Sequence, residues 1–179
     1  MAAETKRFVI ASWIAIVNLV KGYNLLKGKQ GGIGRMGISE DFESVYSRVV
    51  QFDEHLGMVL DVRAPGDITY TLDIAKHHLA TPDTCHGGVI SGMMDAVLGI
   101  TALSYAVSKG NLCATVEFKI NYLSPAKLGE RLKGRGAIDF YGSKLIVTSG
   151  SIITHKEKRL VAKGLGTFSQ YPLSKKKMK

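Results

Sequence analysis

Residues 85–110, CHGGVISGMMDAVLGITALSYAVSKG, decide how the rest of the chain folds. His86-Gly87-Gly88 opens the stretch. From Val89, apolar residues return at Met93, Ala96, Val97, Ile100 and Leu103, the spacing of one helical face. Ile90, Met94, Leu98 and Ala102 fill other faces, so the helix is predicted to be apolar nearly all round and buried. Its single charge is Asp95. A carboxylate in such surroundings is costly unless paired, and burial raises its pKa. Either a neighbour such as Ser91 satisfies it, or it is there to react.

Around this helix the composition is that of an ordinary globular protein: 179 residues, 45% apolar and 22% charged, enough for one domain with a core. The net charge of +9 suggests nucleic acid until it is mapped. Residues 1–37 hold six cations against Glu4, and 175–179 hold four lysines, which leaves fourteen cations and fourteen anions between them. The domain itself is neutral, which argues against a broad nucleic-acid-binding face. Two cysteines, Cys85 and Cys113, make no disulfide framework.

Working outward, residues 8–20, FVIASWIAIVNLV, form an apolar run bracketed by Lys6-Arg7 and Lys21. It is shorter than the roughly 20 residues that span a bilayer. Three readings stay open: a helix packed on the domain or a partner subunit, an interfacial membrane anchor, and an export or targeting signal. Glycines 28, 31, 32, 34 and 37 then mark a joint, so the chain divides into a basic extension (1–37), a domain (38–171) and a basic tail (172–179). Ser39 is placed to cap a helix over 40–55, with Phe42, Val45, Tyr46, Val49 and Val50 on its apolar face. Strands are predicted at 58–63 and 68–74, joined by the turn Ala64-Pro65-Gly66-Asp67, and 77–84 links them to the central helix. Beyond Gly110 the period becomes two. Ala114, Val116, Phe118, Ile120 and Tyr122 fall on one face of a strand over 113–122, with Thr115, Glu117, Lys119 and Asn121 on the other. Strands over 131–141 and 144–154 flank Gly142-Ser143, and 160–169 is the last. An antiparallel sheet wrapped around one long central helix satisfies every apolar face, an α+β architecture.

The chemistry follows from the helix. A Gly-Gly pair at its start leaves backbone N–H groups at the positive end of the macrodipole, where an oxyanion or a polarised carbonyl is stabilised. The same pair also serves plain turn geometry. Asp95 lies seven residues past Gly88, about 10 Å along the axis. It does not reach a carbonyl held at its own helix N-terminus. Two such helices antiparallel across a two-fold axis would bring each Asp95 towards the other's Gly87-Gly88, giving two equivalent sites.

His86-Gly87-Gly88 with Asp95 at that spacing, the segment ATVEFKINYLSPAKLGE at 114–130 and the Gly142 hairpin together resemble hotdog-fold acyl-CoA thioesterases of the phenylacetate-pathway and thioesterase-superfamily type. The resemblance covers residues 40–171. It implies a homodimer whose two sheets join into one, commonly a dimer of dimers, that hydrolyses acyl-CoA to free acid and CoA. It assigns Gly87, with His86 and Gly88, to polarising the thioester carbonyl, Asp95 of the opposite subunit to the role of nucleophile or general base, and Thr115 to assisting the attacking water. By the same resemblance Ser124, Pro125, Ala126 and Lys127 at one turn, and Gly142, Ser143 and Lys144 at the hairpin, contact CoA, with both lysines placed for phosphate. The family often carries Asn where this chain has Ala80, so water positioning passes to His78 or Thr81. A non-catalytic acyl-CoA-binding module is the alternative.

No metal or redox cofactor is expected, CoA being part of the substrate: His77, His78, Cys85 and His86 match no usual zinc spacing. A cytoplasmic location is expected, with peripheral contact to an anionic membrane through the basic ends.

Overall fold

The structure is a computed structural model that describes Phe42, Glu43, Tyr46 and residues 50–172. The basic extension 1–37 and the lysine tail at 175–179 lie outside the described residues, as do the readings made for them. Phe42, Glu43 and Tyr46 are helical. The single helix expected over 40–55 is interrupted at Val50, where φ −102° and ψ 85° leave helical geometry, and α1 then spans Gln51–His55. After it come β1 (Val59–Ala64), β2 (Asp67–Asp73), a 3-10 turn (Lys76–His78), α2 (Gly87–Ser108), β3 (Asn111–Tyr122), β4 (Arg131–Tyr141), β5 (Leu145–Thr154) and β6 (Leu160–Pro172).

The six strands form one antiparallel sheet in the order β1-β2-β4-β5-β6-β3, and α2 lies against its concave face. By length and apolarity α2 would cross a bilayer, but here half its surface is core. Met93, Met94, Val97, Leu98 and Ala102 are fully buried, each large side chain contributing about 2 kcal/mol. A glycine row across the sheet brings the helix close. Gly136, Gly150 and Gly164 are register neighbours on β4, β5 and β6. A Cβ on Gly136 would stand 2.2 Å from Thr101 Oγ1, and one on Gly164 2.7 Å from Met94 Sδ. Buried hydroxyls under the helix are satisfied by its own carbonyls: Thr101 donates to Val97 O at 2.7 Å and Thr148 to Leu98 O at 3.3 Å.

Two expectations need correcting. The helix is not covered all round: Gly92, Ala96, Gly99 and Leu103 are half-buried and Asp95 is exposed, one continuous stripe turned away from the sheet. Nor does β3 alternate throughout. A bulge between Thr115 and Glu117 inserts Val116 as an extra residue, so Cys113 and Thr115 share the concave face with Phe118, Ile120 and Tyr122. Val116 itself is 58% exposed. An inserted residue flips every side chain before it relative to those after it.

The two sheet edges differ. On β1, Val62 N–H donates to the Glu43 carboxylate at 3.1 Å, so that edge is partly covered. β3 is a twelve-residue edge strand whose outer side pairs with nothing among the described residues.

Candidate active site

The predicted residues gather into two clusters at different ends of the fold. The first forms around the start of α2. His86 has extended geometry and caps the helix, its Nδ1 accepting from Gly88 N–H at 2.8 Å. That fixes the ring proton on Nε2. It also explains Gly88, because a Cβ there would stand 2.8 Å from His86 Nδ1. Val89 N–H donates to His86 O. Among the described residues Gly87 N–H has no partner, and it is exposed at the positive end of a 22-residue helix. Tyr122 Oη donates to Gly87 O at 3.2 Å, tying this end of α2 to the end of β3.

The turn at 124–127 belongs to the same cluster. Cys85 N–H donates to Ala126 O at 2.8 Å, and Thr84 bridges Lys127. Ala126 is buried and structural. Ser124 Oγ donates to Leu160 O at 2.6 Å. Arg159 then holds the loop: its guanidinium donates to Ser124 Oγ, to Pro125 O and, at 2.6 Å, to Glu130. The Lys127 backbone N–H donates to Glu130 at 2.7 Å, while its ammonium, exposed, lies 3.8 Å from Asp83. Nothing in the sequence pattern singled out Arg159, which acts through a distant loop.

The second cluster lies along the open stripe of α2. A groove of about 270 Å³ runs between α2, the start of β3 and the segment around α1, and Asp95 and Thr115 both line it. The bulge at Val116 is what turns Thr115 to this side. Among the described residues Asp95 accepts no hydrogen bond and makes no ion pair, so Ser91 does not satisfy it. Partial burial among apolar neighbours raises its pKa. Tyr46, Val50, Phe52, Ile100, Leu103 and Phe168 supply most of the wall, and no cation lines it. Asp53 joins it unpredicted. It is 9% exposed, takes the Tyr70 hydroxyl at 2.6 Å, and has its pKa raised by burial, against the pull of that hydrogen bond, with Asp95 adding to the rise. The sequence held a signal: Asp53 sits seven residues after Tyr46, an acid on an apolar stripe as Asp95 is.

The hairpin at 142–144 lies on this second side. Gln170 donates its side-chain amide to Gly142 O and its backbone N–H to Lys144 O, while Asn111, at the start of β3, donates to the Gln170 side chain. Ser143 and Lys144 are exposed. The two predicted CoA segments therefore do not meet in one chain. They stand at opposite ends of β6, separated by nine residues or about 30 Å of strand.

His78 does not reach the groove. It is 2% exposed, its Nδ1 accepts from Ala75 N–H at 3.0 Å, and its carbonyl takes His86 N–H at 2.8 Å. Burial and then His77 depress its pKa, against a weaker pull from the Leu56 backbone, and among the described residues its buried Nε2 has no hydrogen-bond partner. It supports the helix entrance from below; a substrate contact there would need the ring to leave the core. Ala80 and Thr81 fold into a tight turn on Thr84 and face solvent. Burial pushes the Cys85 thiol up to about 11 and the Cys113 thiol up to about 12, so neither is a ready nucleophile. Among the described residues no three of His, Cys, Asp and Glu are grouped to hold a metal.

Comparison with known proteins agrees with this fold. Residues 83–161 match the family model of the thioesterase superfamily. Human acyl-coenzyme A thioesterase 13 is 28% identical over 117 residues, covering 65% of this chain and 82% of its own. The PaaI protein of the Escherichia coli phenylacetic acid degradation operon superposes with a TM-score of 0.70 at 17% identity, over 77% of this chain and 96% of its own. A Streptococcus mutans protein solved bound to acetyl CoA superposes with a TM-score of 0.53 at 25% identity, over 60% of this chain and 82% of its own. Helix, sheet order and motif spacing converge on one conclusion: the described domain has the hotdog fold, and its residues 83–161 carry the pattern of the thioesterase superfamily.

Proposed function

We propose that this chain hydrolyses acyl-CoA thioesters to the free acid and CoA, in a site completed by a second copy of itself. The observation that carries the reading is the split of the predicted residues into two clusters. One offers an unpartnered N–H at a helix N-terminus beside the 124–127 turn; the other offers Asp95 and Thr115 beside the 142–144 hairpin. Tyr122 ties the first cluster to the end of β3, and Cys113 and Thr115 place the second at its start. Pairing the bare edges of two β3 strands antiparallel sets the start of each against the end of the other. Each first cluster then faces its partner's second. The names of the relatives, an acyl-coenzyme A thioesterase and a protein with bound acetyl CoA, supply the substrate class.

In the joined site the Gly87 N–H donates to the thioester oxygen, and the α2 macrodipole stabilises the negative charge that grows there. Asp95 of the other subunit, ionised, takes a proton from water as the water attacks the carbonyl carbon, or attacks that carbon itself. Thr115 offers its hydroxyl to the same water. The C–S bond breaks and CoA leaves as the thiol, taking the proton that Asp95 removed from water. Where Asp95 attacks directly, CoA leaves first and water then hydrolyses the acyl–Asp95 anhydride, releasing the acid and supplying the proton for the sulfur. Lys127 from one subunit, exchanging its contact with Asp83, and Lys144 from the other are the cations for its phosphates. Arg159 keeps the 124–127 turn in shape, and His78 keeps the helix entrance in place. No metal or redox group is needed in any of these steps.

The test is release of free thiol from acyl-CoA by the full chain, together with its sedimentation behaviour. Turnover by a dimer or larger species supports the proposal. Binding of acyl-CoA without thiol release would replace it with the acyl-CoA-binding module.

A further inference from the structure

One buried side-chain polar atom among the described residues has no hydrogen-bond partner, His78 Nε2. The ring is 2% exposed, and its other nitrogen is occupied, Nδ1 accepting from Ala75 N–H at 3.0 Å. Burial, and then His77, lower its pKa, so the imidazole is neutral and its one proton is on Nε2. A buried N–H without an acceptor is costly. The acceptor it faces is the backbone carbonyl of Leu56, whose pull on the ring opposes that lowering. Leu56 O itself accepts no hydrogen bond from the described residues. An unjoined donor and an unjoined acceptor therefore stand opposite one another.

Each belongs to a different part of the site. Leu56 ends α1, whose Phe52 and Asp53 line the groove, and a Cβ on Gly92 of the open stripe would meet Phe52 and Leu56. His78 O accepts His86 N–H at 2.8 Å, at the cap of α2. The wall is short. α1 has five residues, follows a break at Val50, and is held at its middle by the Tyr70 bond to Asp53, so its last residue is the part left to be fixed.

We infer that His78 is a positioning residue: when an acyl chain fills the groove, α1 seats on α2 and His78 Nε2–H donates to Leu56 O, fixing the groove wall to the α2 entrance. This rests on the hydrolase reading above and names what holds its groove closed. A hydrogen bond made only in the loaded state favours that state. Asp95 and the chain lying against it then keep the spacing that attack requires.

The ring proton of the full chain tests this directly. Of the five histidines only His78 is buried, so the imidazole N–H that exchanges slowly with solvent is its Nε2–H. Adding S-octyl-CoA or S-hexadecyl-CoA, thioethers that cannot be hydrolysed, should move that proton downfield in the NMR spectrum and slow its exchange further. An unmoved resonance at saturation overturns the inference, whether or not thiol is released from acyl-CoA. Two variants read the same bond in turnover. His78→Asn keeps an acceptor for Ala75 N–H but removes the donor, and kcat should fall about tenfold with KM little changed. His78→Gln carries an amide N–H to the Nε2 position and should recover most of that loss. A histidine that only fills space predicts no such order, and equal kcat in the two variants overturns the inference. If neither variant folds, the wild-type spectra decide it. A downfield shift without thiol release by the wild type removes the hydrolase reading and leaves the closing contact. A chain that binds neither thioether overturns both.

Discussion

The two sides of α2 are built on different rules. Against the sheet, Val97, Leu98 and Thr101 sit on glycines with no room for one more carbon. On the other side Gly92, Asp95, Ala96 and Gly99 face a groove and leave a carboxylate without a partner among the described residues. Packing has been driven to contact where nothing reacts, and left unfinished where a substrate and a second subunit are expected. A helix can thus be apolar nearly all round and still present a reactive face, if the open stripe is made of small residues around one acid.

The sharpest way to break this contrast is Asp95→Asn. It should cut kcat/KM by about two to four orders of magnitude, or about 3–5 kcal/mol of transition-state stabilisation, with near-ultraviolet circular dichroism unchanged. Near-normal turnover would mean that the open side does no chemistry. The sheet side is probed by Gly136→Ala, whose methyl would meet Thr101 Oγ1. Urea unfolding should show a loss of about 1–3 kcal/mol, and an unchanged midpoint would mean that the seat is loose. Thr115→Ala should lower kcat about tenfold, roughly 1.4 kcal/mol, with KM little changed; a change in KM alone would move Thr115 from the water to the substrate.

The smallest effect is on stability. The folded-state pKa of Asp95 is raised by burial above the ordinary 3.8. The raised pKa stabilises the fold fully below that value, and the contribution is lost as pH rises through the folded pKa. Asp95→Asn is therefore expected to raise the unfolding midpoint at neutral pH, with the advantage vanishing in acid near pH 3. A midpoint lowered at neutral pH would place Asp95 among the residues that hold the fold together.

The sequence made much of this legible, and the exceptions have physical causes. The strands and the helix α2 follow from period alone, and the observed ends of β4 are those expected. The bulge at Val116 was not visible, because an inserted residue in a strand of alternating type reads as a continued alternation. Resemblance assigns Thr115 to the site, whereas simple alternation puts it on the opposite face from the groove it lines. The break at Val50 was equally hidden, lying within a run of good helical spacing. The exposure of Asp95 could not be read from hydropathy, which does not tell a face turned to the sheet from one turned to a partner. Asp53 and Arg159 act through contacts with Tyr70 and with the 124–127 turn, and such pairs are settled only by the three-dimensional path of the chain.

The central claim is that Gly87 and Asp95 of one chain serve different sites, and subunit mixing tests it directly. Gly87 occupies the first position of α2 after an extended His86, where proline is tolerated and removes only the N–H. Gly87→Pro and Asp95→Asn should each be nearly inactive alone. In a heterodimer of the two, one site carries both defects and the other carries none. Random exchange of equal amounts should therefore restore about a quarter of the wild-type specific activity, half the dimers being mixed and each holding one intact site. Activity that stays at the level of the two separate variants, after exchange has been verified, would contradict the shared site and place both groups within a single chain.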